Sequence, residues 1–119
     1  MDEDINWQLE IAERFNQLCP NMFGDPYVSA LAFGFQCHVG WKRILEGCFT
    51  ELSKIPGVTV NTVKEKFGTL RIYIDGGDET AWDIISRYEQ MSETVCELCG
   101  MPGRLEGKFW LMVRCEKCR

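Results

Sequence analysis

No apolar run in the sequence approaches the ~20 residues that a membrane-spanning helix needs, so a helical anchor is not expected. The opening residues, Met1-Asp-Glu-Asp4, are acidic and lead into no apolar core of a secretory signal. The expected setting is therefore cytoplasmic, without membrane partners. Seven cysteines are an odd number, and an odd set suits a reducing compartment better than a disulfide framework. No Gly/Ser/Pro spacer and no internal repeat interrupts the chain, so a swinging linker is not expected either.

Catalytic furniture is equally scarce. His38 is the sole histidine and follows Cys37 directly. Adjacent side chains rarely converge on one centre, and no Asn or Asp is placed to orient the imidazole. Asp75 and Asp78 flank two glycines, but no twelve-residue calcium loop with a terminal Glu follows them. They read as turn and cap residues, and the expectation is a protein that is not an enzyme.

The last two dozen residues carry the strongest pattern. Cys96 and Cys99 form one Cys-x-x-Cys pair, and Cys115 and Cys118 form another. Two intervening residues let a tight turn aim both sulfurs at one point, and two such pairs complete a tetrahedral four-thiolate zinc site. Such a set closes the coordination sphere, which marks zinc as structural rather than catalytic. Gly100 follows the first pair, where a turn often needs positive φ. Pro102-Gly103 and Gly107 punctuate the intervening stretch, and Phe109 to Val113 have strand character. The layout is a zinc ribbon over residues 96–119, attached to an α+β body over residues 1–95. A reversible thiol–disulfide role for the two pairs is a weaker alternative.

The body reads as helices on a small antiparallel sheet. An amphipathic helix is expected over residues 4–19, with Ile5, Leu9, Ile11, Ala12, Phe15 and Leu18 on one face. Residues 20–38 hold turn signals and then a mostly apolar stretch, which is either a strand or an irregular cover for the core. A second helix is expected over residues 39–54, with Trp41, Ile44, Leu45, Cys48, Phe49 and Leu52 as its stripe. Residues 58–74 read as a hairpin of two alternating strands, joined through Glu65-Lys66-Phe67-Gly68 with Gly68 left-handed. Leu70, Ile72 and Ile74 share one face; Arg71 and Tyr73 share the other. A third helix, capped by Asp78 or Thr80, then carries Ala81, Ile84, Ile85, Tyr88, Met91, Ser92 and Val95 inward.

Charge is unevenly spread. The net value of −5 divides into −7 over residues 1–95 and +2 over residues 96–119. An acidic body repels polyanions and favours a basic protein surface. A second reading is a nucleic-acid-binding or transcription-modulating ribbon. The candidate contact residues, for a protein partner or for nucleic acid, are Lys64, Lys66, Arg71 and Tyr73 on the hairpin, with Lys108 and Trp110 on the ribbon.

Three segments resemble a known family: Gly40-Trp41, Val63-Lys-Glu-Lys-Phe-Gly-Thr-Leu-Arg71 and Cys96-Glu-Leu-Cys-Gly100. The family is made of small proteins encoded by bacteriophages, prophages and plasmids, and the resemblance covers roughly residues 33–118. Its usual last metal ligand is histidine; here that position is Cys118, which keeps four ligands and makes all of them thiolates. The resemblance implies a mobile-element origin and no particular activity. By analogy, such a protein acts by binding a host protein, as an accessory factor that inhibits a defence system such as CRISPR.

Overall fold

The computed structural model describes residues 2–119, with side chains described from residue 5 onward. Helix α1 spans Asp2–Arg14, α2 spans Lys42–Leu52 and α3 spans Glu79–Met91. Strands β1 (Thr59–Lys66) and β2 (Thr69–Asp75) form one antiparallel pair, and β3 (Arg104–Glu106) and β4 (Met112–Arg114) form another. The architecture is α+β, with a cysteine cluster at its C-terminal end.

One apolar core joins the three helices to the inner face of the first hairpin. The α2 stripe is the expected one: Trp41, Ile44, Leu45, Cys48, Phe49 and Leu52 are all buried. The helix itself is shorter than residues 39–54, because Val39–Trp41 form a tight 3-10 turn before it. Phe49 ties the layers together, meeting Phe15 and Phe35 edge-on at 5.8 Å.

Helix α1 ends at Arg14, five residues before the expected boundary, and presents a different face. Trp7, Gln8 and Ile11 are buried, whereas Ile5 and Leu9 are 38% and 42% exposed. Trp7 and Ile11 are four residues apart and share an inward ridge; Ile5 and Leu9 form the flanking one. Phe15 and Leu18 are buried from the turns that follow the helix. Gln8 faces inward because it clamps the next segment. Its amide donates to the Phe35 carbonyl at 3.0 Å and accepts from the Phe35 N–H at 2.8 Å. That clamp holds residues 20–38 as an irregular cover, with a 3-10 turn at Ala30–Phe33 and one bridge between Gln36 and Lys64.

The first hairpin turns more tightly than the sequence suggests. Its loop is Phe67-Gly68 alone, with φ of 54° and 87°. Positive φ at both positions matches the right-handed twist of the flanking strands. The expected strict alternation in β1 fails at Asn61, where the register shifts between Val60 and Thr62. Val60 and Val63 both point into the core as a result.

Helix α3 starts where expected. Asp78 Oδ1 accepts the Ala81 N–H and satisfies one orphan donor of the first turn. It stops at Met91 rather than Val95, and Met91 is exposed; Ser92–Thr94 form a 3-10 turn. The outer edge of β2 is closed by this region. Ser92 Oγ accepts the Leu70 N–H, and Glu89 Oε2 accepts the Ile72 N–H, both at 2.9 Å. An edge capped by side chains offers two fewer donors to another strand.

In the C-terminal hairpin the strands are three residues each. Phe109 and Trp110, expected in a strand, lie in the loop and are exposed. Gly107 takes φ of 111° and packs against the Trp110 carbonyl, which closes that loop.

Candidate metal centre

The centre is built from two similar turns. In the first, the Cys96 carbonyl accepts the Gly100 N–H at 2.9 Å, and the Cys96 N–H donates to the Met101 carbonyl at 2.8 Å. Gly100 sits at φ of 83°, a conformation costly for a residue with a Cβ. In the second, the Cys118 N–H donates to the Cys115 carbonyl at 3.2 Å. Strands β3 and β4 set the two turns side by side. All four sulfurs then lie within 4.8 Å of one another, and Cys99 Sγ is 3.5 Å from Cys115 Sγ.

A tetrahedron with Zn–S near ~2.3 Å has S···S edges of about 3.8 Å. The cluster is of that size, and its donors are those that a thiophilic ion prefers. The four cysteines could therefore hold a metal ion. Among the described residues, no other group of three or more His, Cys, Asp or Glu side chains converges in this way.

Backbone dipoles prepare the sulfurs unequally. Burial pushes the Cys96 thiol up, but N–H groups of Cys115, Cys99 and Leu98 outweigh it and hold the thiol at about 6. Cys115 is lowered too: burial opposes, and hydrogen bonds from the Cys99 and Cys118 side chains and from the Cys118 and Lys117 N–H groups prevail. Cys118 is pushed up to about 12 by its bonds with Cys115 and Cys99. Four thiolates this close repel one another, so protons remain on some sulfurs unless a cation neutralises the set. The remaining cysteines are of another kind. Burial pushes Cys19 and Cys48 up to about 12, and raises Cys37 as well, with Glu97 adding to it. A thiol held protonated is a poor nucleophile.

The centre is bolted to the body. The Gly40 N–H donates to the Glu97 carbonyl at 2.7 Å, and Trp41 Nε1 donates to the Val95 carbonyl at 2.9 Å. The buried Glu97 side chain accepts the His38 N–H at 3.1 Å and meets Arg114 Nη1 at 3.5 Å. Comparison with protein-family models, with curated proteins and with solved structures returns no match. The reading of the centre rests on its own geometry.

The structure also places the sequence-derived contact residues. Lys64 and Arg71 are paired across the hairpin, and Tyr73 joins them on that face with Lys64 Nζ 5.7 Å from its ring centre. Lys66 lies at the tip, with Nζ 5.6 Å from the Phe67 ring centre. Lys108 and Trp110 are on the β3–β4 loop. The two hairpins touch: a Cβ on Gly68 would stand 2.6 Å from Leu105 Cδ1 and 3.0 Å from the Leu111 carbonyl carbon. Sequence reasoning missed Glu97, Gln8 and the capping roles of Ser92 and Glu89. Each acts on a backbone group 17 to 59 residues away, for which a single sequence carries no signal.

Proposed function

We propose that this chain is a structural-zinc protein that acts by binding another macromolecule, not by catalysis. The observation that carries the reading is the closed set of four sulfurs within 4.8 Å of one another. Four cysteines leave no coordination position for water or substrate, so the ion's work is to hold the two turns together. Zinc is the first-row ion best matched to a tetrahedral all-thiolate set in a reducing compartment. The residues that hold it are Cys96, Cys99, Cys115 and Cys118.

The partner in this reading is a protein of the bacterial host, met in its cytoplasm. An excess of five negative charges favours a basic partner surface, as an inhibitor of a nucleic-acid-handling defence complex would need. The resemblance to phage and plasmid proteins supports the same role. The test is recovery of partners on N-terminally tagged protein from bacterial lysate, with and without nuclease. The expected result is one host protein in stoichiometric amount that survives nuclease and is lost with Cys96→Ser. Retention of no host protein at any salt concentration would contradict the reading.

A further inference from the structure

The cations of this protein are not evenly neutralised. Of thirteen lysines and arginines, six lie within ion-pair distance of a carboxylate: Arg14, Lys42, Arg87, Arg104, Arg114 and Arg119. Among the described residues the other seven have no such partner, and four of them, Lys64, Lys66, Arg71 and Lys108, stand on the two joined hairpins. The Arg71 Nε is buried without a hydrogen-bond acceptor. The nearby acids have other partners: Glu65 accepts the Gly68 N–H, Glu106 holds Arg104 and Arg119, and Glu89, the carboxylate that Arg71 acts on, accepts the Ile72 N–H.

Exposed aromatics gather at the same end. Phe67 at one hairpin tip is 67% exposed; Phe109 and Trp110 at the other are 101% and 75% exposed. The packing of Gly68 on Leu105 and Leu111 makes the two tips neighbours, and the bolted metal centre fixes the second tip relative to the first. Tyr73 extends the aromatic set along the sheet face, 41% exposed beside Lys64. Exposed aromatic rings interleaved with cations that lack a carboxylate within ion-pair distance, two of which lie against Tyr73 and Phe67, are the chemistry of a stacking platform for unpaired bases. An acidic peptide would use the cations but leave most ring faces unstacked. A duplex would present phosphates but no free base faces.

The net charge of −5 does not forbid this. Exposed charges more than about 10 Å apart are largely screened at 0.1 M salt. The molecule is 39 Å in its longest dimension, so acids at its far end contribute little to the field at the hairpin ends. We propose that the joined hairpin ends bind a short segment of single-stranded nucleic acid, with phosphates on Lys64, Lys66 and Lys108 and bases on Phe67, Phe109 and Trp110. This is a second binding activity at its own surface and does not depend on the identity of the protein partner.

The test is fluorescence anisotropy of a labelled twelve-nucleotide oligo-dT, its oligo-U counterpart and a twelve-base-pair duplex, each titrated with metal-loaded full-length protein. Single strands are expected to bind more tightly than duplex. The logarithm of affinity should fall against the logarithm of salt with a slope of about −2, for three phosphates neutralised. Trp110→Ala is expected to weaken binding about tenfold. Lys66→Glu with Lys108→Glu should abolish it, with thermal midpoint and metal content unchanged, because both side chains are exposed. No anisotropy change at 50 mM salt and roughly 100 µM protein would overturn the proposal, as would a duplex preference or full binding by the charge-reversed variant. These readouts use protein whose metal content is verified before titration, so they fail separately from the partner recovery above.

Discussion

Gly40 lies against Cys96 so closely that a methyl group on it would stand 2.1 Å from the Cys96 carbonyl oxygen and 2.3 Å from that of Glu97. The start of α2 and the first Cys-x-x-Cys turn are therefore fitted backbone to backbone. The Gly-Trp pair that opens the helix is explained by this contact: glycine for the approach, and tryptophan for the hydrogen bond to Val95 and for the core.

Gly40→Ala should push the turn off the body. Overpacking of this kind costs about 1–3 kcal/mol. Because the displaced atoms are the backbone of a cysteine ligand, metal retention should fall as well. Competition with a chromogenic chelator and a thermal melt read both effects. A variant with wild-type melting and wild-type metal retention would show that the contact relaxes freely.

Trp41 is fully buried, and Trp41→Ala should cost about 3–5 kcal/mol. Trp41→Phe keeps most of the apolar volume and removes the Nε1 donor to Val95, for a loss of about 1 kcal/mol beyond the volume change. Urea unfolding followed by circular dichroism separates the two. Equal losses in both variants would mean that the hydrogen bond, not the packing, dominates.

Glu89 gives a pH dependence. Burial raises its carboxyl above the ordinary value of 4.5, against the Ile72 N–H and Arg71, which lower it. A raised carboxyl contributes stability that is present below pH 4.5 and lost as pH rises through the folded value. Glu89→Gln keeps an oxygen for the Ile72 N–H and removes the ionisation. The variant should therefore gain on the wild type as pH rises from 4.5 toward neutrality. A stability difference that stays constant over this range would contradict the assignment. Glu89→Ala leaves the Ile72 N–H without its acceptor and should lose about 1 kcal/mol.

Periodicity made the α2 stripe and the inward face of β2 legible, because their buried residues recur at the spacing of one element. The four cysteines were legible because metal chemistry demands both the residue type and the pair spacing. The α1 face was not: Ile5 and Leu9 match the helical pattern as well as Trp7 and Ile11, and only the Phe35 backbone, held by Gln8, decides which ridge turns inward. The bulge at Asn61 and the exposure of Phe109 and Trp110 were hidden for the same reason. β-Propensity reports how a residue fits a pleated surface, not whether a surface is there to receive it.

The proposed function requires that the four C-terminal cysteines hold one structural zinc ion. Elemental analysis of the full-length protein purified under reducing conditions, alongside Cys96→Ser and Cys115→Ser, tests it most directly. One zinc per chain is expected in the wild type, with its loss in both variants and a C-terminal hairpin no longer protected from proteolysis. Wild-type protein that carries no metal and forms reversible disulfides between the pairs, or unchanged zinc content in both variants, would contradict it.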